Sequence, residues 1–148
     1  MQRSILDITY KQLELTFRNH VFSFFYFTQY ALPYLKKGAS INNTMSVMVY
    51  QGNKDLIDYS AIKGAIVAST RSLSLSLVEQ RIRVNSIVLG SIRTPLIRAS
   101  CLAEEVATFG KKLSHVPMNK AVSHVKEVSP SCIFLASKDS SYMTEQVL

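Results

Sequence analysis

The chain has 148 residues, enough for one domain with a buried core and too few for two. It contains 17 Lys and Arg against 10 Asp and Glu, for a formal net charge of +7, and 47% of its residues are hydrophobic. The basic residues are scattered rather than gathered in one block. That distribution argues against a nucleic-acid-binding arm and is compatible with an anionic small molecule.

The start of the chain and its cysteines bear on its compartment. No apolar stretch typical of a signal peptide follows Met1, because Asp7 interrupts the first residues. The two cysteines, Cys101 and Cys132, are far apart and lack the spacing of a metal site. They are interpreted as buried free thiols in a reducing compartment. We therefore expect a cytoplasmic protein without a metal centre.

The first predicted element is a long helix over residues 9–37. Apolar side chains recur there at helical spacing, Thr9 provides an N-cap, and Gly38 provides a stop. Residues 21–35 carry no charged side chain, which raises the alternative of a membrane helix. That stretch is shorter than the roughly 20 residues a bilayer requires and includes Pro33. Burial in a core and a subunit interface is the preferred interpretation.

The second predicted element is a strand over residues 39–48, although Asn42 and Asn43 interrupt its apolar run. A turn over residues 51–55 leads to a second long helix over residues 59–80, rich in Ala, Ser and Leu. Its small residues would let this helix lie close to a sheet or to another helix.

The last third of the chain begins with the clearest strand signal, a β-branched run over residues 82–88 bounded by Gly90. A short helix is predicted over residues 103–111 and a third helix over residues 125–136. Residues 145–148 resemble the start of a strand. The alternation of helices and strands predicts an α/β fold with parallel strands.

Three residues, Ser46, Tyr59 and Lys63, carry the strongest functional signal. Tyr59 and Lys63 are four residues apart and project from one face of the second helix, while Ser46 stands near the end of the preceding strand. A phenol ordinarily titrates near pH 10, and a nearby ammonium favours its charged form, which improves it as a proton acceptor. A serine hydroxyl can hold the oxygen whose proton moves. The trio predicts proton transfer to or from an alcohol or carbonyl oxygen.

The Tyr-x-x-x-Lys spacing is weak evidence by itself, because Tyr50 and Lys54 show it as well. That second pair spans a turn containing Gly52 and lacks an upstream serine, so we interpret it as coincidental. The alternative for Tyr59 and Lys63 is an exposed pair on a helix face without a function.

At these residues the sequence resembles the short-chain dehydrogenase/reductase (SDR) family. The resemblance is carried by Ser46 followed by residues 58–65 (DYSAIKGA), by residues 81–95 (RIRVNSIVLGSIRTP) and by residues 134–148 (FLASKDSSYMTEQVL). Within the family the sequence is most similar to the glucose and ribitol dehydrogenase or aldehyde reductase branch.

The resemblance implies a Rossmann-like, doubly wound parallel sheet that binds NADP or NAD through a glycine-rich turn after its first strand. None of the five glycines in this sequence is spaced for such a turn. The sequence is therefore interpreted as the C-terminal part of that fold, with the first strands missing. On this interpretation residues 1–148 are one partial catalytic domain that ends within the last strand.

The resemblance also implies roles for individual residues. Ser46, Tyr59 and Lys63 would be the catalytic residues. The cofactor-binding positions would be Tyr59, Lys63, Gly90, Ile92 and Thr94. Residues 96–117 would form a mobile lid over the substrate.

A fourth catalytic position in the family is an Asn in the long helix. Counting back from Ser46 reaches His20, with Asn19 next to it. Either these two residues have exchanged places or the function of the Asn is lost. His20 could instead relay a proton, and the alternative is a structural histidine.

The function implied by the resemblance is an NAD(P)-dependent oxidoreductase that acts on a polyol, sugar or aldehyde. Without the glycine-rich turn this chain is expected to be weakly active or inactive alone. The alternative is a non-catalytic fragment that dimerises, or that pairs with a full-length relative, through residues 9–37 and 59–80. No nucleic-acid or membrane partner is expected.

Overall fold

The computed structural model of the chain describes residues 4–95 and 123–148. Three of the sequence-based predictions lie outside these ranges: the short helix over residues 103–111, the lid over residues 96–117, and the burial of Cys101.

The first helical region is interrupted rather than continuous. After a 3-10 turn at Ile5–Asp7, its parts are α1 at Tyr10–Phe17, a π-helical turn at Arg18–Phe22, α2 at Ser23–Ala31 and a 3-10 turn at Leu32–Tyr34. The hydroxyl of Thr9 accepts a hydrogen bond from the backbone N–H of Gln12 at 3.2 Å, which confirms the predicted cap. The region ends at Tyr34, earlier than expected. Pro33 lacks an N–H and disfavours a continuing helix, and the backbone at Leu35 is extended.

Two parallel strands form the sheet that positions the rest of the molecule. Strand β1 spans Ser40–Ser46 and β2 spans Arg83–Leu89, in a register that runs from Ser40 opposite Arg83 to Ser46 opposite Leu89. Both predicted strands are confirmed with slightly different ends. The final segment adds to the far side of β2 through a parallel bridge between Ser86 and Val147. The order of strands is that of an α/β fold.

The crossover between β1 and β2 is helical, as parallel strands require. A short helix, α3, spans Met48–Gln51, and the long helix α4 spans Ile57–Leu77. Gly52 ends α3 with a φ of 68°, a conformation that glycine adopts readily. Because α4 returns antiparallel to β1, its first turn lies at the carboxyl ends of the strands.

The rest of the described chain contains small elements that the sequence did not signal. Strands β3 and β4 are two-residue strands, Ile92–Arg93 and Ser123–His124, and they pair in parallel. Helix α5 has the predicted bounds, Val125–Ala136, and a 3-10 turn follows at Lys138–Ser140. The backbone N–H of His124 donates to a carboxylate oxygen of Glu127 at 2.7 Å, which completes a capping box at the start of α5.

The core lies between α4 and the sheet. Met45 packs against Ile66 and Val67, and a second cluster contains Leu77, Ile82 and Val84. All of these side chains are at least 90% buried. The hydrophobic burial of this face fixes α4 on the sheet and thereby fixes Tyr59 and Lys63.

A polar network explains how β1 tolerates an asparagine in its apolar run. The side-chain amide of Asn43 donates to the hydroxyl of Thr70 on α4 at 2.8 Å. The hydroxyl of Ser86 on β2 lies 3.2 Å from the same oxygen. Because these groups hydrogen-bond to one another, their burial does not leave unsatisfied donors.

The end of the chain is held to β2 by two side chains. The guanidinium of Arg83 donates to the carbonyl oxygens of Leu135 and Ser137, each at 3.0 Å, and to the hydroxyl of Ser140 at 2.8 Å. Asn85, fully buried, binds the backbone of the final segment with both ends of its amide. These contacts place the final segment beside β2.

The outer face of α5 corrects one prediction. Cys132 is exposed, so its predicted burial was wrong. The neighbouring Ile133 is 68% exposed, whereas Leu135 is fully buried. Helix α5 buries one side against the sheet, and Cys132 lies outside that contact.

The first helical region exposes many large apolar side chains. Those on its surface include Tyr10, Leu15, Phe22, Phe25, Tyr26, Phe27, Tyr30 and Tyr34. Within the described ranges, no helix combines the length and apolar character that crossing a bilayer demands.

Candidate functional site

Lys63 is the cation at the centre of the site. It lies on the second turn of α4, is 9% exposed, and donates a hydrogen bond from Nζ to the carbonyl oxygen of Thr44 at 3.1 Å. Burial lowers the pKa of Lys63 from its ordinary value, because removal from water disfavours the charged form. The carbonyl contact holds the ammonium at the edge of β1. An ammonium has three donors, so two remain for other oxygens.

Tyr59 stands beside this cation on the same face of α4. The Nζ atom of Lys63 lies 5.6 Å from the centre of the Tyr59 ring, and the Tyr59 side chain is half-buried. The structure therefore brings together the two residues that the spacing predicted.

The start of α4 is fixed by Asp58, the residue before Tyr59. This carboxylate is 6% exposed, accepts the backbone N–H of Tyr59 at 2.8 Å, and accepts the hydroxyl of Thr16 from α1 at 3.3 Å. Asp58 thus connects α1 to the first turn of α4 and orients the backbone that carries the phenol. The sequence drew attention to Asp58 only through the family resemblance. Nothing in the sequence signalled its partner Thr16 or the carbonyl oxygen of Thr44.

Ser46 occupies the last position of β1. It is 8% exposed, and its hydroxyl accepts the backbone N–H of Met48 at 3.3 Å. Within residues 4–95 and 123–148 its hydroxyl has no hydrogen bond to Tyr59. Ser46 thus lies at the same end of the sheet as the first turn of α4.

His20 lies in the π-helical turn and borders both spaces around Lys63 and Tyr59. A groove of about 490 Å³ runs along β1 and contains His20, Asn19 and Lys63 in its wall. A second cleft of about 550 Å³ contains His20, Asp58 and Tyr59. Asn19 borders the groove only. His20, rather than Asn19, is therefore the residue of this turn that borders both the groove beside Lys63 and the cleft beside Tyr59.

The charge of Lys63 also acts on His20. Partial burial and, secondarily, the positive charge of Lys63 lower the pKa of His20 below its ordinary value. The lowered pKa favours the neutral imidazole, in which one ring nitrogen can accept a hydrogen bond while the other donates one.

The loop after β2 begins next to Ser46. The backbone N–H of Val47 donates to the carbonyl oxygen of Leu89 at 3.0 Å, so the two strand ends stay together. Gly90 follows directly, Ile92 lies in β3, and Thr94 is half-buried. The structure thus places the three predicted cofactor positions in the loop at the carboxyl end of the sheet, where ligands of open parallel sheets bind.

Within the described residues no group of three or more His, Cys, Asp or Glu side chains is placed to hold a metal ion. The polar groups at this end of the sheet are an amine, a phenol, hydroxyls, an imidazole and the carboxylate of Asp58. Such a set can move a proton and bind hydroxyl or carbonyl oxygens.

The chain is similar in sequence to known proteins. A family model described as "Enoyl-(Acyl carrier protein) reductase" matches residues 1–148. The chain is 55% identical over 148 residues to the uncharacterized oxidoreductase YhxC of Bacillus subtilis, covering 100% of this chain and 50% of that protein. It is 50% identical over 146 residues to the chloroplastic NADPH-dependent aldehyde reductase 1 of Arabidopsis thaliana, covering 98% of this chain and 49% of that protein.

The fold of the chain matches that of a solved structure. The crystal structure of a short-chain dehydrogenase/reductase, a glucose/ribitol dehydrogenase from Brucella melitensis, superimposes with a TM-score of 0.87 at 26% identity. The match covers 99% of this chain and 58% of that one. The chain spans about half the length of the curated relatives that it matches.

Proposed function

This chain belongs to the short-chain dehydrogenase/reductase family of oxidoreductases, and from that premise we propose that it carries the proton-transfer part of a site that interconverts an alcohol and a carbonyl compound. The observation that supports the proposal is the position of Lys63 Nζ, 5.6 Å from the centre of the Tyr59 ring and beside a groove along the sheet edge.

Each residue of the trio has a distinct part in the proposal. Tyr59 delivers a proton to the carbonyl oxygen in reduction and removes it from the alcohol in oxidation. Lys63 stabilises the phenolate that Tyr59 becomes after giving up its proton. Ser46 donates a hydrogen bond to the substrate oxygen as negative charge develops there. The Ser46 hydroxyl can donate this bond while it still accepts the N–H of Met48, because a hydroxyl has one donor and two acceptor positions.

NADP or NAD is the cofactor that this chemistry needs, and when bound it supplies or accepts the hydride. The residues present fit the sugar end of such a cofactor. Lys63 uses one of its three N–H donors in the bond to Thr44, and the other two can donate to hydroxyl oxygens. Gly90, Ile92 and Thr94 would border its ring. The residues do not fit its pyrophosphate, since no glycine-rich turn is present in the sequence. We therefore expect weak activity, or none, from this chain alone.

The substrate class is proposed from the relatives. One is named an aldehyde reductase and another a glucose/ribitol dehydrogenase. A polyol, a sugar or an aldehyde is therefore the proposed substrate. The amine and hydroxyls of the site suit such oxygen-rich molecules.

Cofactor binding tests the proposal. We would titrate the purified chain with NADPH and NADH up to about 1 mM and follow the fluorescence of the reduced nicotinamide. Saturable binding that is lost in Lys63→Ala and kept in Lys54→Ala supports the site. Lys54 is the matched control, since it follows Tyr50 at the same spacing and lies outside both clefts. Absence of binding in the unmodified chain would reject cofactor binding by this chain alone.

A second function is favoured by the exposed apolar surface of the helices. Tyr26 on α2 is 57% exposed and Leu75 on α4 is 66% exposed. Patches of this kind mark protein interfaces. We propose that these helices pair with a second copy of the chain or with a longer relative.

Sedimentation of the chain tests this pairing. Leu75→Glu should shift a dimer to the monomer, because a carboxylate would be buried in the interface. Ile133→Glu is the matched control, since Ile133 is 68% exposed on α5, away from these helices. A monomer at all concentrations, or equal effects of both variants, would contradict pairing through α4.

A further inference from the structure

A third cleft lies at the other end of the sheet, beside the amino ends of β1 and β2. It has a volume of about 750 Å³, which is within the usual size of small-molecule sites. Its wall comes from the segment before β1, the link from α4 to β2, and the segment after α5. It shares no lining residue with the groove beside Lys63 or the cleft beside Tyr59. The proton-transfer site therefore does not account for it.

The wall of this cleft is strongly basic. It contains four cationic side chains, namely Lys37, Arg81, Arg83 and Lys138. It contains no Asp or Glu among its described lining residues, although Glu79, Asp139 and Glu145 lie close in sequence. Hydroxyl groups complete the polar part of the wall, from Ser137, Ser141, Tyr142 and Thr144. A concave surface with cations and hydroxyl donors attracts an anion.

Arg83 gives the cleft a fixed positive charge. Its side chain is half-buried, and its guanidinium donates to Leu135 O, Ser137 O and Ser140 Oγ at 2.8–3.0 Å. All three acceptors are neutral, so the hydrogen bonds hold the group in place without cancelling its charge. A guanidinium has five donors, and donors remain after these contacts.

Arg81 is held at the rim of the cleft in an uncommon backbone conformation. Its φ is 56°, a left-handed value that L side chains rarely adopt and that glycine adopts freely. Its backbone is fixed on both sides, because its N–H donates to Val78 O at 2.9 Å and its carbonyl accepts the N–H of Gly38 at 2.9 Å. The position favours glycine, yet an arginine places a cation there.

We propose that this cleft binds the phosphate group of a small organic phosphate. Arginine and lysine are the side chains that bind phosphate in proteins, the former as a planar fork and the latter as point charges. The concave shape favours a small molecule over a polynucleotide or a membrane surface, each of which requires an extended basic face. The apolar walls from Val78, Ile82 and Met143 offer a surface to the organic part.

Binding of defined phosphates at constant ionic strength tests the proposal. We would titrate the chain with inorganic phosphate, ribose 5-phosphate and AMP, and follow backbone amide shifts by NMR. Shifts centred on residues 136–144 with saturable binding are expected, and tighter binding of either organic phosphate is expected over inorganic phosphate. Saturation by none of the three, or preference for anionic lipid vesicles or an oligonucleotide over all three, would overturn it.

Two neighbouring lysines provide a matched pair. Lys37 lines the cleft and Lys36 does not, while both are exposed and adjacent. Lys37→Ala should weaken phosphate binding about tenfold, whereas Lys36→Ala should change it by less than about twofold. Equal losses would mean that overall charge, rather than this cleft, attracts the anion, and would reject the proposal.

Arg81→Gly separates binding from folding. The variant removes a cation and relieves the left-handed strain, so the unliganded chain should melt at the same or a higher temperature. The same variant should lose phosphate binding by about tenfold or more, while Lys63→Ala should keep it. Undiminished phosphate binding in Arg81→Gly would contradict the assignment of this cleft.

Discussion

Lys63 reaches from α4 to the carboxyl end of β1 and donates a hydrogen bond to the carbonyl oxygen of Thr44 at 3.1 Å. The contact joins α4 to the strand that carries Ser46. It also fixes the direction in which the ammonium points, so that the charge stays beside the Tyr59 ring. Geometry of this kind makes the cation a permanent part of the site rather than a mobile surface charge.

The first prediction concerns stability and pH. Burial lowers the pKa of Lys63 in the folded chain below the ordinary value of 10.5. At pH values between the pKa of Lys63 in the folded chain and 10.5, the unfolded chain binds more protons than the folded chain. The free energy of unfolding should therefore rise with pH up to about 10.5. Lys63→Met should remove this rise, as measured by urea unfolding from about pH 8 to about pH 11.

The control for this experiment is Lys54→Met, which removes an exposed lysine and should leave the rise intact. A rise of the same size in Lys63→Met would show that other groups cause it. At neutral pH the Lys63→Met chain should be at least as stable as the parent, because it no longer buries a charge.

The second prediction concerns His20. Partial burial and the Lys63 charge lower the pKa of His20, so its imidazole should titrate below the ordinary value of 6.5. Because the folded pKa is lowered, the stabilising contribution is present above 6.5 and is lost as the pH falls through the folded pKa. An NMR titration of the ring, assigned with His20→Gln, would report the value directly.

Lys63→Met should raise the pKa of His20 without restoring it fully, because burial is the larger cause and remains. An unchanged His20 titration in that variant would show that the two side chains are not coupled.

The third prediction concerns a pair of serines on α4. The hydroxyl of Ser60 is buried and has no hydrogen-bond partner among the described residues, whereas that of Ser74 donates to Arg71 O at 3.1 Å. Ser60→Ala should raise the free energy of unfolding by about 1 kcal/mol, since an unsatisfied buried hydroxyl is removed.

Ser74→Ala should raise the free energy of unfolding less than Ser60→Ala does, or should lower it, because a buried hydrogen bond is lost. Both variants gain the same helix propensity, so the difference between them isolates the hydroxyl. Equal shifts in urea unfolding would contradict the assignment of Ser60 as unsatisfied.

The fourth prediction concerns Asn85. Its Nδ2 donates to Met143 O at 2.8 Å, and its Oδ1 accepts the N–H of Gln146 at 3.0 Å. Asn85→Ala should destabilise the chain by about 1–3 kcal/mol for each backbone group left without a partner. The amide of Gln146 should then exchange with solvent faster, as measured by hydrogen exchange.

Asn53→Ala provides the comparison for Asn85. Its side chain accepts the exposed N–H of Asp55 at 2.9 Å, and water can replace that contact. If Asn53→Ala and Asn85→Ala had similar effects, the attachment of the final segment through Asn85 would be refuted.

The sequence predicted the elements with strong local signals. Helix α5 was predicted with its observed ends, and β2 was predicted within one residue at each end, because a β-branched run and a capped apolar run specify them locally. The pairing of Tyr59 with Lys63 was likewise predicted, since a helix fixes the relation of residues four apart.

Other features depend on contacts between residues distant in the sequence, which the spacing of residue types does not predict. The π-helical turn at Arg18–Phe22 has no composition signal. The sequence therefore left open whether His20 and Asn19 have exchanged places, and whether His20 relays a proton or is a structural histidine. Asn43 was taken as an interruption of the strand because its partner, Thr70, is distant in sequence. Cys132 was predicted to be buried because free cysteines are usually buried in proteins. Its burial in this chain depends on which face of α5 meets the sheet, and Cys132 lies on the exposed face.

The parallel pairing of β1 with β2 has a consequence for the order in which the chain acquires its structure. Parallel strands cannot be joined by a tight hairpin, so β1 cannot pair with β2 until α4, which connects them, has been synthesised. The bonds from Thr70 to Asn43 and Ser86 join all three elements at once. During synthesis on the ribosome, β1 can therefore complete its pairing with β2 only after Leu89 has left the exit tunnel. Through that interval it is a segment that a chaperone can bind.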